Sequence, residues 1–251
     1  MLLNILPSAL VSIMPMSGVD SAQIDQLAST SKRVAIEYIS TLKESETYIL
    51  KELLVPFEQA RLARIFPKNL QVCYRDGRRN TPASDASQNI KDYKQTFKIT
   101  SKVRLASAPV AQGCLMSGYG FRGTSRRAYL HKGWDIAFSE PVDVYAGGDG
   151  TIIEAHYRGD YGNMILIDHG DGVFTRYAHL ENFAPEISIG TPIKAGQTIG
   201  RMGTSADKPV ARHLHYEILI GDYNTPKQSF GLKPIDVTAP LPKVSEALES
   251  S

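Results

Sequence analysis

The stretch that most constrains this chain is His213 to Glu217, which reads His-Leu-His-Tyr-Glu and continues into Ile218 and Leu219. Leu, Tyr and Ile favour extended structure, so we predict a β-strand. Because successive side chains of a strand point to opposite faces, His213, His215 and Glu217 share one face and the apolar residues share the other. Two imidazoles on one rigid face can bind a metal ion or transfer protons, and an ordinary pair of histidines is the alternative.

The second half of the chain predicts an all-β domain. After about residue 100, short β-like runs are separated by Gly, Asp and Pro. The clearest predicted strands are 142–145, 151–155, 164–168, 173–178, 198–202 and 214–220. Between two of them, His169-Gly-Asp-Gly172 predicts a hairpin turn, because glycine reaches positive φ at little cost.

The first half predicts helices instead. Between Ser21 and Val55 apolar residues recur with a period close to 3.6, which is typical of an amphipathic helix that packs on the next domain or on a partner. Pro56 should end or kink this helix. We therefore expect an α-helical N-terminal region over residues 1–72, a linker and the start of the β region over 73–105, a mainly β domain over 106–240 and a tail over 241–251.

Charge and hydropathy argue against two classes of partner. With 28 basic and 26 acidic residues the net charge is +2, which is too small to predict nucleic-acid binding. Residues 2–16 are apolar, but they contain Pro7 and Pro15, lack a preceding Lys or Arg, and fall short of the roughly 20 residues that cross a bilayer. We expect no stable membrane span. The segment is at most a weak export signal, and a short helix packed on the protein is the alternative.

The two cysteines, Cys73 and Cys114, do not form a Cys-x-x-Cys pair, which argues against a cysteine zinc site. In an oxidising compartment they could form one disulfide worth about 2–4 kcal/mol. Two free thiols are the alternative.

A second informative stretch, His131-Lys-Gly-Trp-Asp135, carries a histidine and a carboxylate at a spacing that puts both on one face of a strand or a helix. Two imidazoles and one carboxylate leave the fourth tetrahedral position of zinc open for water, which is the ligand count of a catalytic zinc site. We therefore predict that His131, Asp135 and one histidine of the 213–215 pair bind one zinc ion per chain. His179, in Tyr177-Ala-His-Leu180, could bring another imidazole to the same groove.

Several ordered motifs between Ser117 and Val237 resemble the lysostaphin or LytM-type zinc metallopeptidases, whose fold is called the duplicated hybrid motif. These motifs are Ser117-Gly-Tyr-Gly-Phe-Arg122, His131-x-Gly-x-Asp135, Pro141-Val-Asp-Val-Tyr-Ala-Gly-Gly-Asp-Gly150, Tyr161-Gly-Asn163, Tyr177-Ala-His-Leu180, Lys194-Ala-Gly-Gln-Thr-Ile-Gly200 and His213-Leu-His-Tyr-Glu217.

The resemblance implies that residues 106–240 form a zinc peptidase domain that cleaves the peptide part of bacterial peptidoglycan. It implies that His131, Asp135 and His215 bind Zn2+ and that His179 and His213 are the catalytic histidines. Zinc-activated water would attack the scissile bond, and the two histidines would act as general base and oxyanion stabiliser, in an order that the sequence does not decide. The expected location is the cell envelope, periplasmic or secreted.

Two other hypotheses remain open at this point. Relatives that lack the metal ligands bind the wall or activate other hydrolases without catalysis, and the intact set of five residues argues against that interpretation. A latent enzyme, whose N-terminal helical region covers the groove, is the other hypothesis. The segment Thr204 to Arg212 also replaces a loop rich in Gly, Ser and Thr that usually precedes the last motif, which leaves the fit of the substrate open.

Four further side chains have individual predictions. Glu217 either orients a ligand imidazole or is a solvated carboxylate. His156 and His169 are expected to be ordinary surface residues, and Trp134 is expected in the core.

Overall fold

The computed structural model describes residues 62–73, 80–123, 128–225 and 230–236. Residues 1–61 of the region predicted to be helical, and the tail over 241–251, lie outside the described residues. Within residues 62–73, a helical turn at 62–65 precedes a short strand. In the described ranges, no helix is long and apolar enough to span a bilayer.

The described residues are mainly β, as the second half of the sequence predicts, and all six predicted strands are present. The strands are β1 (Gln71–Val72), β2 (Thr96–Lys98), β3 (Arg104–Ala106), β4 (Cys114–Ser117), β5 (Gly120–Arg122), β6 (Tyr129–His131), β7 (Trp134–Ala137), β8 (Asp143–Tyr145), β9 (Gly150–Tyr157), β10 (Asn163–Asp168), β11 (Val173–Phe183), β12 (Pro192–Ile193), β13 (Thr198–Met202), β14 (His213–Thr225) and β15 (Phe230–Ile235). A 3-10 helix, Gly159–Tyr161, connects β9 with β10.

Most of these strands belong to one branched sheet, in which β14 is central. Its main path runs β1-β4-β7-β14-β11-β10-β9-β12, while β13 joins β11 to β8 and β15 pairs with β14. The β14 strand is antiparallel to β7, β11 and β15. The predicted hairpin joins β10 to β11, and Gly170, Asp171 and Gly172 have the positive φ that its turn requires.

The alternation predicted for β14 is confirmed. Leu214, Tyr216 and Ile218 are buried in the main hydrophobic core, which also contains Trp134 as predicted. His213 and His215 lie on the opposite face, which is also largely covered. The central strand therefore separates an apolar core from a polar, buried groove.

A disulfide joins Cys73 to Cys114, so the first of the two alternatives for these cysteines is observed. Cys73 directly follows β1 and Cys114 begins β4, and the two strands pair in parallel. A cross-link that closes a loop of this size, with a sequence separation of 41 residues, stabilises a fold by about 4 kcal/mol in the chain-entropy account.

Candidate active site

His131 and Asp135 meet across a turn and not along one strand. His131 ends β6 and Asp135 lies in β7, and the two strands pair with different neighbours. A Cβ on Gly133 would lie 2.2 Å from the Tyr216 carbonyl oxygen, so glycine lets the turn pass close to β14. The shared strand or helix face predicted from the spacing was therefore wrong, although both side chains reach one site.

The sheet register brings these residues to the histidine face of β14. His215 pairs with Asp135 on β7 and with Ala178 on β11, and directly paired residues share a face. Asp135 Oδ1 lies 2.7 Å from His215 Nδ1, 3.0 Å from His131 Nε2 and 3.6 Å from His213 Nε2. The structure thus brings together the three residues predicted to bind zinc, which we call the metal cluster.

The metal cluster fits a zinc ion. The ligand atoms of His131, Asp135 and His215 lie within 4.8 Å of one another, and the two nitrogens that face each other are 3.2 Å apart. Ligand atoms bound tetrahedrally at about 2.0–2.2 Å are separated by about 3.4 Å. The three donors therefore need to move apart by less than about 1 Å, and one coordination position remains for water or substrate.

Hydrogen bonds on the far side of each imidazole determine which nitrogen can bind the metal. Coordination through His131 Nε2 requires the proton on Nδ1, and the Gly118 carbonyl oxygen lies 2.7 Å from Nδ1 to accept it. His215 donates from Nε2 to Glu217 Oε1 at 3.0 Å, which leaves Nδ1 toward the cluster. Such bonds orient metal-binding imidazoles and increase their basicity. The two histidines therefore offer different nitrogens.

Arg122 is a site residue to which the sequence assigned no role. It lies on β5 and donates from Nη2 to Asp135 Oδ2 at 2.9 Å and to the Ser117 hydroxyl. The same nitrogen lies 2.6 Å from His131 Nδ1, a bond it can donate only while Nδ1 is unprotonated. Because Arg122 binds Oδ2 of Asp135, the other oxygen, Oδ1, faces His131 and His215 and is available to bind a metal. Its position at the end of the Ser117–Arg122 motif was the available signal.

Glu217 is completely buried and is not a solvated carboxylate, so that alternative was wrong. It accepts hydrogen bonds from His215, from Arg176 Nη1 at 2.5 Å and from the Tyr161 hydroxyl at 2.8 Å. Burial alone would raise the pKa of Glu217, but the bond from His215 and the charge of Arg176 lower it to about 2. The ionised carboxylate therefore orients the His215 ring.

Electrostatics within the cluster favour the charged forms of both Asp135 and His215. Burial opposes this, but hydrogen bonds from His131 and His215 hold the pKa of Asp135 well below its usual value. Burial likewise lowers the pKa of His215, but hydrogen bonds to Asp135 and Glu217 outweigh it and raise the pKa to about 9. Without a metal, a proton on His215 therefore takes the place of a cation between the two carboxylates.

His179 reaches the site through an irregularity in β11. Asn163 pairs with Leu180 whereas Ile165 pairs with Tyr177, so β11 carries an extra residue at this point. His179 has a φ of 61°, in the left-handed region that non-glycine residues seldom occupy. A regular strand would direct its side chain away from the face of Ala178. Here the His179 ring instead lies 4.5 Å from the ring of His213, measured between centroids.

The segment Thr204 to Arg212, which departs from the family pattern, supplies the acceptors that hold this histidine pair. His179 donates from Nδ1 to the Ser205 carbonyl oxygen at 2.9 Å, and His213 donates from Nδ1 to the Ala211 carbonyl oxygen at 2.7 Å. Each Nε2 is left with its lone pair. The sequence could not reveal this role, because backbone carbonyls, and not side chains, make the contacts.

Burial lowers the pKa of both histidines of this pair. For His179 the pKa falls to about 4, with a further lowering from His213, and for His213 the nearby Asp135 only partly offsets the effect of burial. Both imidazoles are therefore neutral at pH 7 and can accept a proton.

The two remaining histidines, His156 and His169, have other partners. His156 is exposed on β9, 3.5 Å from a Glu154 oxygen, so its prediction as a surface residue holds. His169 is half-buried and contacts the Asp149 carbonyl oxygen at 2.6 Å and the Thr175 hydroxyl at 2.7 Å. The prediction that His169 is an ordinary surface residue was wrong, because this ring ties the end of the hairpin to the neighbouring turn.

Comparison with known proteins connects the site to a family. Residues 129–227 match the family model described as peptidase family M23. The chain is 34% identical over 118 residues to the DD-carboxypeptidase/endopeptidase Mpg of Neisseria meningitidis, a match that covers 47% of this chain and 25% of that protein. It is 24% identical over 214 residues to the peptidoglycan DD-endopeptidase ShyA of Vibrio cholerae, which covers 81% of this chain and 46% of that protein.

Among solved structures, a zinc containing peptidase from Vibrio cholerae aligns with a TM-score of 0.46 at 28% identity, covering 55% of this chain and 40% of that one. The matched part of this chain spans 25% of the length of Mpg and 46% of the length of ShyA. The segment that matches the family model contains all five candidate site residues: His131, Asp135, His179, His213 and His215. The resemblance predicted from the motifs is confirmed: residues 129–227 match the model of peptidase family M23, and the similar proteins are peptidases of the same kind.

Proposed function

We propose that this chain is a zinc-dependent endopeptidase that hydrolyses peptide bonds in the stems or cross-links of bacterial peptidoglycan. The observation that carries the proposal is the convergence of His131, Asp135 and His215 beside two neutral histidines. The family match supports a peptidase. The names of the relatives, which include peptidoglycan DD-endopeptidases, support peptidoglycan as the substrate.

In this proposal His131 Nε2, Asp135 Oδ1 and His215 Nδ1 hold one zinc ion. When bound, zinc supplies Lewis acidity to the scissile carbonyl and to the attacking water. Glu217 fixes the ring of His215, and Arg122 fixes the carboxylate of Asp135. Preorganised ligands of this kind need little rearrangement on binding, which favours both affinity and a defined open position.

His179 and His213 move the protons. Each has its Nδ1 proton engaged by a carbonyl oxygen, so Nε2 is the nitrogen that accepts a proton from the attacking water. The imidazolium formed in this way can return the proton to the leaving amine, and its charge stabilises the developing oxyanion. No separate carboxylate base is needed, because burial keeps both imidazoles neutral before the reaction.

We place this activity in the cell envelope, where peptidoglycan lies. The Cys73–Cys114 disulfide supports this location, since disulfides persist in oxidising compartments outside the cytoplasm.

The proposal is tested with His215→Ala and the matched control His156→Ala, which changes an exposed histidine away from the site. Wild type and the control should bind one zinc per chain and release fragments from purified peptidoglycan. His215→Ala should lose more zinc affinity than the roughly 10–100-fold typical of an outer-shell change, and its hydrolysis should fall to background. A metal-free wild type, or equal hydrolysis by wild type and His215→Ala, would defeat the proposal. A zinc-loaded wild type that binds peptidoglycan without cleaving it would instead support a non-catalytic module.

A further inference from the structure

Asn163, the last residue of the Tyr161-Gly-Asn163 motif, lies against the bulge in β11 that carries His179. It begins β10 and pairs with Leu180, the residue after His179. Its side chain donates from Nδ2 to the Leu180 carbonyl oxygen at 3.1 Å and to the Glu181 carbonyl oxygen at 3.3 Å. An asparagine side chain therefore binds the backbone of β11 just where the regular strand pairing is interrupted.

Ser205 binds the same carbonyl oxygen from a different loop. Its hydroxyl donates to the Leu180 carbonyl oxygen at 2.7 Å and accepts from the Asn163 backbone N–H at 2.9 Å. Leu180 is fully buried, and its carbonyl oxygen uses both lone pairs to accept from two side chains. We call the side chains of Asn163 and Ser205 the bulge brace, because together they fix the backbone directly after His179.

The backbone of Ser205 connects this brace to the ring of His179. The Ser205 carbonyl oxygen accepts from His179 Nδ1 at 2.9 Å, and the His179 carbonyl oxygen accepts from the Gly203 N–H at 3.0 Å. Glycine at position 162 permits this arrangement, because a Cβ there would lie only 2.0 Å from the Ser205 carbonyl oxygen. The loop that contains Ser205 thus contacts His179 at both its ring and its main chain.

His179 needs such support because its conformation is strained. A non-glycine residue keeps a positive φ only where the surrounding structure imposes it. A neutral imidazole can carry its proton on either nitrogen, and the bond to the Ser205 carbonyl oxygen selects Nδ1.

We infer that Asn163 and Ser205 are positioning residues, which act through the Leu180 and Ser205 carbonyl groups to hold His179 with Nε2 as its proton acceptor. Neither side chain touches the metal cluster in the described contacts, so the brace controls proton transfer and not metal binding. This inference rests on the proposed function for the reaction itself.

The test separates positioning from general stability with matched variants. Asn163→Ala and Ser205→Ala each remove one side chain of the bulge brace, whereas Ser205→Thr keeps the hydroxyl. Asn182→Ala and Ser188→Ala change exposed residues of the same types and are the controls. Peptide hydrolysis, zinc content and long-range 1H–15N NMR are measured on each zinc-loaded full chain. The NMR shifts report which ring nitrogen of His179 carries the proton, and comparison with His179→Ala assigns its signals.

In wild type, in Ser205→Thr and in both controls, the His179 proton should stay on Nδ1. In Asn163→Ala and Ser205→Ala it should be shared between the two nitrogens, and kcat should fall by about 10–100-fold, because a displacement of about 1 Å costs about that factor. KM should change by less than about threefold, since substrate binding is not affected. Zinc content should stay at the wild-type level. The double variant should lose little more than the larger single loss, because both side chains act through one carbonyl oxygen.

A His179 proton that stays on Nδ1 in both alanine variants overturns the inference, and so does wild-type kcat in both. An equal fall in kcat for Ser205→Thr and Ser205→Ala also overturns it, because the hydroxyl is then not the group that matters. A wild type that does not cleave peptides overturns the peptidase proposal instead, and the NMR comparison still decides whether the bulge brace positions His179.

Discussion

The metal cluster and the histidine pair lie side by side, yet different parts of the structure position them. Asp135 and His215 are neighbours in a regular ladder between β7 and β14, and side chains such as Arg122 and Glu217 hold them in place. His179 occupies a bulge with positive φ, and backbone carbonyl oxygens of the 204–212 segment hold it and His213. Regular strand pairing thus positions the proposed zinc ligands Asp135 and His215. An irregular strand and a loop orient His179 and His213, the proposed proton acceptors.

This difference teaches that metal binding and proton transfer should be separable by mutation. Changes in the ladder and its side-chain partners should affect metal affinity, whereas changes in the bulge should affect activity at full metal occupancy. The following expectations test that separation in order of decreasing effect.

The largest effect is expected for His179→Ala. Loss of a general base or acid typically reduces rates by about 10²–10⁴-fold, so kcat on peptidoglycan peptides should fall by that factor. Zinc content should stay at the wild-type level, because the three cluster residues are unchanged. The two quantities are measured on the same sample, with His156→Ala as the control. Loss of zinc from His179→Ala would contradict the separation.

Glu217→Gln should reduce zinc affinity by about 10–100-fold, because a neutral amide orients His215 less strongly than a carboxylate. It also leaves the buried Arg176 without its ionic partner, so a loss of about 3–5 kcal/mol in the free energy of unfolding is expected. Chelator competition and denaturant unfolding measure the two effects, and Glu186→Gln, at an exposed glutamate, is the control. Unchanged zinc affinity in the folded variant would show that Glu217 has no part in holding the metal.

Zinc affinity should also depend on pH. The raised pKa of His215, about 9, means that the metal-free protein carries a proton that zinc must displace. Apparent affinity should therefore rise with pH, by up to about tenfold per unit between pH 6.5 and 8.5, and binding at pH 7 should release about one proton.

The raised pKa of His215 also determines how the stability of the metal-free protein depends on pH. A folded pKa above the unfolded value stabilises the metal-free protein below about pH 6.5, and this contribution is lost as pH rises through about 9.

The proton that zinc binding releases is measured with a pH indicator in weak buffer. Zinc binding without proton release at pH 7 would contradict the assignment of that proton to His215.

The smallest effect is expected at the bulge backbone. Because residue 179 has positive φ, His179→Gly should be more stable than His179→Val by about 1–2 kcal/mol. At His156, in β9, the order should reverse, because valine favours a regular strand and glycine weakens it. Thermal unfolding of the four variants measures both differences. The same order at both positions would remove the evidence for a strained His179.

The strands and the five candidate residues were accessible to sequence reasoning because their signals are local. The alternation in His213–Ile220 predicts the two faces of β14, and the ordered motifs predict which side chains converge. The chemistry of two imidazoles and a carboxylate then predicts a metal without any knowledge of the fold.

Other features depend on register and backbone direction, which no local pattern encodes. The period of two would point His179 away from the groove, and the extra residue in β11 reverses that outcome. The turn at Gly133 and the contacts of Arg122 follow from how separate strands pack together. The acceptors from Ser205 and Ala211 are backbone atoms, so their residue types give no indication of their role.

The most direct test of the metal cluster is anomalous diffraction at the zinc edge from crystals of the zinc-loaded protein. The predicted result is one peak at about 2.0–2.2 Å from His131 Nε2, Asp135 Oδ1 and His215 Nδ1, with His179 and His213 outside bonding distance. A peak elsewhere, or no peak at this cluster in a protein that retains its zinc, would contradict the account.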